Sequence, residues 1–334
     1  MQFAFTEDQI LFRDTVRDLF ANECPPEFVR AAWEGDTGRV PGLWAKLAEM
    51  GVVGLTAPEA AGGLAMTEID LVLLLEEAGR AAVPEPLTEH TAVAIPLLRD
   101  HAPTSDLLAS AAAGTALVGV GLASPYVLYG AQADVVLLAH GDEVHAVPSA
   151  EIGFTAERSV DYSRRLASVE WTPTESTRIV GGPEGAQAQA DAFDRGAVAA
   201  AAQCVGVAQR LIDVTVDYVG QREQFGKVVG SYQAVKHHLA NALIAVEFAR
   251  PMAYVAAYAV ATGAPHRSRE VSMAKVLASD AVDKAARTAL QCHGAIGYTF
   301  EYDLQLWMKR GWTLAASWGD AAFHRNRVGE ALEI

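Results

Sequence analysis

Tyr218-Val219-Gly220-Gln221-Arg222-Glu223-Gln224-Phe225-Gly226-Lys227, followed shortly by Tyr232-Gln233-Ala234-Val235-Lys236-His237, interrupts two long stretches of helical pattern. Arg222 stands just before a glycine turn, where it can project from the end of a helical bundle. The stretch before it carries Ala197 to Ala202, then Cys204, Val207 and Leu211. Such small residues let helices approach closely, as in a bundle interior. The pattern predicts a second helix from about Tyr232 to Thr262 and a third from about Arg269 to His293, with two shorter ones ending the chain. Long helices on short loops favour an antiparallel bundle. The third helix runs out in another glycine turn, Gln291-Cys292-His293-Gly294-Ala295-Ile296-Gly297-Tyr298.

Toward the N-terminus, residues 1–113 also read as helical. Thr6-Glu7-Asp8-Gln9 is a capping box, and Ile10, Leu11, Val16, Leu19 and Phe20 recur near helical spacing behind it. Pro25-Pro26 stops that helix, because the second proline forces its predecessor out of the helical region. A helix follows over about Gly42 to Met50, then a turn-rich loop from Gly54 to Gly63, then a helix from Thr67 to Arg80. Residues 114–185 differ. Thr115 to Leu122, Asp134 to Leu138, Val144 to Val147 and Ala167 to Trp171 are short, valine-rich or alternating runs that read as strands. The expected organisation is mainly α with a small β domain: an N-terminal helical domain (1–113), a small middle β domain (114–185) and a C-terminal helical bundle (186–334).

The chain has 334 residues, 51% hydrophobic and 20% charged, with a formal net charge of −15. That charge disfavours nucleic-acid binding, which needs a basic face. It also requires any anionic ligand to be held by a few placed cations and not by the overall field. No 18-residue apolar stretch free of charge appears, so a membrane span is not expected. No secretory signal pattern opens the chain. Cys24, Cys204 and Cys292 show no CxxC spacing and three cannot all pair, so the simplest setting is reduced and cytoplasmic. His237 and His238 are adjacent and point about 100° apart on a helix, which rules out an i, i+4 metal pair and leaves no metal site expected. No HExxH, GxSxG, P-loop or Rossmann fingerprint is present.

The two glycine turns together resemble the acyl-CoA dehydrogenase family of flavoproteins. There, an R-x-x-F-G turn ends the first bundle helix, F-Q-x-V-x-H opens the next, and Q-x-x-G-G-x-G-Y ends the third. The Gly54 to Gly63 loop followed by Glu76-Glu77-Ala78-Gly79-Arg80 is similar to the family's entry loop and helix. The resemblance covers nearly the whole chain and implies the three-part order, ending in a four-helix bundle, with FAD as cofactor and an acyl-CoA as substrate. It further implies an electron-transfer flavoprotein or similar acceptor. Arg222, Gln224, Phe225, Gln291 and Gly294 are the positions it assigns to the ADP half of FAD. The chemistry agrees. A guanidinium can bind a pyrophosphate by paired, charge-assisted hydrogen bonds. A glutamine both donates and accepts, as an adenine or ribose edge requires. A glycine lets backbone approach the cofactor. Alternatively, Arg222 neutralises a helix C-terminus and Phe225 packs in the bundle.

Two features depart from the family. Its middle-domain T-E-P-x-A-G-S-D loop is replaced by Gly121-Leu122-Ala123-Ser124-Pro125-Tyr126, leaving Ser124 as the residual flavin contact. Its Y-E-G-T segment, whose glutamate is the base in many members, aligns with Ser317-Trp318-Gly319-Asp320. Asp320 is the nearest carboxylate, and it equally suits an N-cap for the helix that follows. In other members the base sits near Thr262, which cannot serve; Glu247 on the same helix reads as an i, i+3 partner of Arg250. The pattern resembles one subunit of short actinobacterial α2β2 dehydrogenases, in which the partner chain supplies the base and which often take bulky steroid side-chain CoA esters. Two alternatives stand beside it: a homo-oligomeric dehydrogenase with Asp320 as base, and a non-catalytic scaffold that binds no flavin.

Overall fold

The computed structural model describes residues 4–333. They fall into two compact units, one of Phe28–Leu71 with Pro84–Ala199, the other of residues 4–27, Val72–Val83 and residues 200–333. The architecture is mainly helical with a small β region, as the sequence predicts. Helix α1 (Glu7–Glu23) begins at the capping box: Thr6 Oγ1 accepts from Gln9 N at 3.2 Å, and Gln9 Oε1 accepts from Thr6 N at 2.9 Å. Pro26 opens α2 (Pro26–Glu34), where a missing N–H costs nothing. Helices α3 (Leu43–Glu49) and α4 (Glu68–Arg80) fall where hydrophobic spacing puts them. Residues Leu87–Ala94 then form a π-helix with all eight residues buried, continuing into α5 (Ile95–His101) and, after a turn, α6 (Asp106–Ala112).

The β region is built from β1 (Val118–Gly121), β2 (Tyr126–Leu128), β3 (Val135–His140), β4 (Glu143–Pro148), β5 (Gly153–Glu157), β6 (Leu166–Glu170) and β7 (Arg178–Val180). One sheet has the order β1-β3-β4-β7, with β1 and β3 parallel and the other pairs antiparallel. The second has the order β2-β6-β5, all antiparallel. Strands β2, β5 and β7 have no counterpart in the sequence reading. They are short or largely exposed, so they lack a hydrophobic signature and owe their conformation to pairing. Val127, Val136, Leu138, Val147 and Ile152 form a common core, covered by Trp44, Phe154 and Trp171. Arg165 satisfies the C-terminal end of α2, its guanidinium donating to the carbonyls of Trp33, Gly35 and Asp36.

Helix α7 (Gly182–Gln221) leads to a two-stranded hairpin of β8 (Glu223–Gln224) and β9 (Lys227–Val228), then to α8 (Gln233–Ala261) and α9 (Arg267–His293). Helices α10 (Leu304–Ala316) and α11 (Ala321–Leu332) end the chain. By length and composition, α7 and α8 are apolar enough to cross a membrane, since their alanine and valine content tolerates a few charges. The most apolar window of α7 is 78% buried, whereas that of α8 is 33% buried. The outward face of α8 carries Leu243, Ile244, Phe248 and Tyr258, with Phe248 70% exposed.

His90 locks the π-helix to its surroundings. Its Nε2–H donates to Ala111 O at 3.1 Å, and its Nδ1 accepts from Val118 N at 3.0 Å, at the start of β1. Full burial pushes its pKa down to about 4, so the ring is neutral. The unfolded chain binds this proton below about 6.5. The stabilisation is therefore complete above that value and is lost as pH falls toward 4. Glutamine can both donate and accept in place of the ring. We expect the wild type to lose about 3 kcal/mol more stability than His90→Gln between pH 7 and pH 4, by urea unfolding. Parallel losses would show that the ring does not govern the acid response.

Candidate functional site

The hairpin after α7 is a type I′ turn, because both central residues, Phe225 and Gly226, have positive φ (55° and 80°). A bulky residue in that region is rare and is held only when its surroundings determine it. Here Val229 N donates to Arg222 O at 2.7 Å, and Tyr232 OH donates to Gln224 O at 3.2 Å. The Lys227 ammonium lies 4.1 Å from the Tyr232 ring centre. The result displays Phe225, 92% exposed, at the hairpin tip; it does not pack in the bundle. Gln224 Nε2 donates only to the neighbouring Glu223 O. Arg222 is exposed, and its guanidinium makes no hydrogen bond or ion pair among the described residues.

The second turn is tied to the first by aromatic stacking. Tyr218, one helical turn before Arg222, stacks on His293 with ring centres 4.3 Å apart and planes 19° off parallel. His293 Nδ1–H donates to Ala289 O at 2.8 Å, leaving Nε2 to accept from Tyr302 OH at 3.2 Å. Burial lowers the His293 pKa and raises that of Tyr302, which favours this neutral pair. Gly294 follows at φ 66°, ψ −142°, with no heavy atom within 4 Å of where a Cβ would stand. Gln291 is exposed beside it. The stack thus brings Arg222, Gln224, Phe225, Gln291 and Gly294 to the same end of the bundle. The sequence contains Tyr218, His293 and Tyr302 but offers no sign that they meet. An unpaired guanidinium, an uncommitted amide and an open backbone approach suit the phosphate and adenosine parts of a dinucleotide.

The turn between α10 and α11 has two successive left-handed residues, Trp318 (φ 55°) and Gly319 (φ 84°). A Cβ at Gly319 would stand 2.8 Å from His324 Nε2, so only glycine fits. Lys275, fully buried in α9, donates to Ala315 O at 2.8 Å, Gly319 O at 3.0 Å and Ser279 Oγ at 3.2 Å. His324 Nε2–H donates to Trp318 O at 2.8 Å, and its Nδ1 accepts from Ser272 Oγ at 3.1 Å. Neither residue was a sequence candidate, because Lys275 closes on carbonyls 40 and 44 residues on and His324 on a turn carbonyl and on Ser272, 52 residues before it. Asp320 caps α11, its Oδ1 accepting from Phe323 N at 2.8 Å.

The remaining candidates have structural partners. Glu247 pairs with Arg250 as the spacing predicts, but Arg250 also holds Glu76 at 2.9 Å. Ser124 Oγ accepts from Tyr126 N at 3.1 Å within its own loop. His237 and His238 are exposed, and no three metal-ligating side chains cluster among the described residues. An N-cap aspartate is replaced by asparagine with little loss but by alanine at about 1 kcal/mol. Thermal unfolding of Asp320→Asn should match the wild type, and Asp320→Ala should be lower by about that amount. Equal losses in both would show that the carboxylate charge does more than cap.

The acyl-CoA dehydrogenase C-terminal domain model matches residues 183–333, and the N-terminal domain model matches residues 6–103. Acyl-CoA dehydrogenase IpdE2 of Mycolicibacterium smegmatis is 35% identical over 310 residues, covering 91% of this chain and 92% of that protein. Among solved structures, a chain of the ChsE4-ChsE5 complex from Mycobacterium tuberculosis superposes with a TM-score of 0.90 at 23% identity, covering 100% of this chain and 99% of its own. A chain of the Tcur3481-Tcur3483 steroid ACAD G363A variant gives 0.89 at 24% identity, covering 98% of each.

Proposed function

This chain belongs to the acyl-CoA dehydrogenase family, oxidoreductases that act on acyl-CoA, and from that premise we propose that it is one subunit of a heteromeric dehydrogenase. It holds the ADP side of FAD, and its partner subunit supplies the catalytic base. When bound, FAD supplies the hydride acceptor for α,β-dehydrogenation of the thioester. Arg222 pairs with the pyrophosphate, Gln291 meets an adenine or ribose edge, and Gly294 lets the backbone approach. Gln224 and Phe225 complete the contact from the hairpin.

The observation that carries this reading is the contrast between the two kinds of turn. At the first, Arg222 and Gln291 are exposed and uncommitted. At the other, the position the family gives to a glutamate holds Trp318, and the carboxylate two residues on is engaged by Phe323 N. An indole N–H only donates, so Trp318 cannot accept the α-proton of the substrate. On this reading the base comes from another chain. The apolar face of α8 supports a partner, since Leu243, Ile244 and Phe248 lie exposed together on a helix only 33% buried in its most apolar window. Two of the structures this chain resembles are named as pairs of different chains, and one is named a steroid ACAD. A bulky steroid side-chain CoA is accordingly the substrate class proposed, with an electron-transfer flavoprotein or similar acceptor taking the electrons.

The test is co-expression with a second dehydrogenase-like chain and measurement of bound flavin and turnover. Arg222→Ala should weaken FAD retention by about one to two decades, the worth of a charge-assisted contact. Flavin content unchanged after dialysis would make Arg222 a helix-end cation only. Asp320→Asn should leave turnover of the complex within a few-fold of wild type. A fall of about 10²–10⁴ with flavin still bound would instead make this chain the source of the base.

A further inference from the structure

The geometry points to a second ligand site in this chain: a cavity of about 230 Å³ that binds a small monocarboxylate with a short apolar body. It is lined by Arg17, Phe20 and Cys24 from α1 and its end, Glu77 and Arg80 from α4, Arg210 from α7 and Trp307 from α10. None of these residues belongs to the set proposed for FAD.

Three guanidinium groups meet at this cavity, and they differ in what they already hold. Arg17 is committed to Glu77, with Nε and Nη2 donating at 2.9 and 2.6 Å. Arg80 is paired with Asp213 at 2.6 Å. Arg210 has no hydrogen bond or ion pair with any described residue. Its guanidinium carbon stands 5.1 Å from the centre of the Trp307 ring. Trp307 is itself fixed, because its Nε1–H donates to Arg80 O at 2.9 Å. Burial lowers the pKa of Arg210, and the Arg80 charge lowers it further against the pull of Asp213 and Asp217. A half-buried cation beside another cation is costly unless an anion joins it.

The ligand class follows from the rest of the wall. A guanidinium resting over a ring keeps its N–H donors at its edge, where their fork matches a carboxylate. Phe20, Cys24 and the Trp307 face present apolar surface to whatever the carboxylate carries. The volume suits a body of a few carbon atoms or one ring. In a chain of net charge −15, this cluster is where an anion finds local compensation.

Benzoate serves as the probe, with benzyl alcohol as its neutral counterpart, titrated calorimetrically into the full chain, together with its partner subunit where the two purify as a complex. We expect one saturable benzoate site, with benzyl alcohol not competing. Affinity should fall about tenfold or more in Arg210→Met, which keeps the side-chain stem over Trp307 and removes the charge. Absence of saturable binding, or equal affinity in the variant, would overturn the site. Wild-type protein gives a separate readout. Benzoate should slow phenylglyoxal modification of Arg210, followed by peptide mass, and an unchanged labelling rate would count against the site whatever the variant does.

Discussion

Close backbone approach between α7 and residues 72–83 sets the geometry of the helical unit. A Cβ at Gly206 would stand 1.8 Å from Glu76 O, and one at Gly79 would stand 2.1 Å from Gln203 O. No side chain fits at either point, so these two glycines let the backbones nearly touch. That approach aligns charges from four elements. Glu77 meets Arg17 of α1, Glu76 meets Arg250 and Tyr254 of α8, and Arg80 meets Asp213 of α7. Trp307 and Arg310 of α10 then donate to the carbonyls of Arg80 and Val83. Because each of these charges is paired or bonded to backbone, the unit tolerates them inside its packing.

The turns at the bundle ends are built on the same economy of backbone groups. Phe225 and Trp318 are both bulky residues with positive φ, each held by hydrogen bonds to neighbouring carbonyls. Strain of this kind persists where surrounding bonds determine it. At one turn the held residue is thrust outward beside an uncommitted arginine. At the other, a buried lysine and a histidine close the turn and leave the aspartate to cap a helix. The difference between the two turns is one of available chemistry.

Much of the helical scaffold was legible because its signals are local. The Thr6 capping box, the helix from residue 67 to 80 and the helices on either side of Gly226 announce themselves within a few residues. The family motifs located both glycine turns for the same reason. What escaped depends on distant partners. The π-helix at Leu87–Ala94 carries Thr88, Glu89, His90 and Thr91, which read as solvent-facing yet are buried. Strands β2, β5 and β7 exist through pairing more than through pattern. Nothing local to Lys275 on α9 signals burial, and only the returning carbonyls of residues 315 and 319 explain it. On α8, alanine and valine content alone does not reveal that Phe248 and Ile244 face outward.

That outward face has a consequence for how the protein is made. Side chains the size of Phe248 and Ile244 each favour leaving water by roughly 1.5–3 kcal/mol. Anything that covers them shares in the folding equilibrium, so apparent stability rises with the concentration of the covering surface. Chain synthesised in excess of that cover carries a sticky stripe along a 29-residue helix. A stripe left uncovered in this way is a target for quality-control proteases and chaperones, so changes on α8 reach the amount of chain that survives as well as its fold.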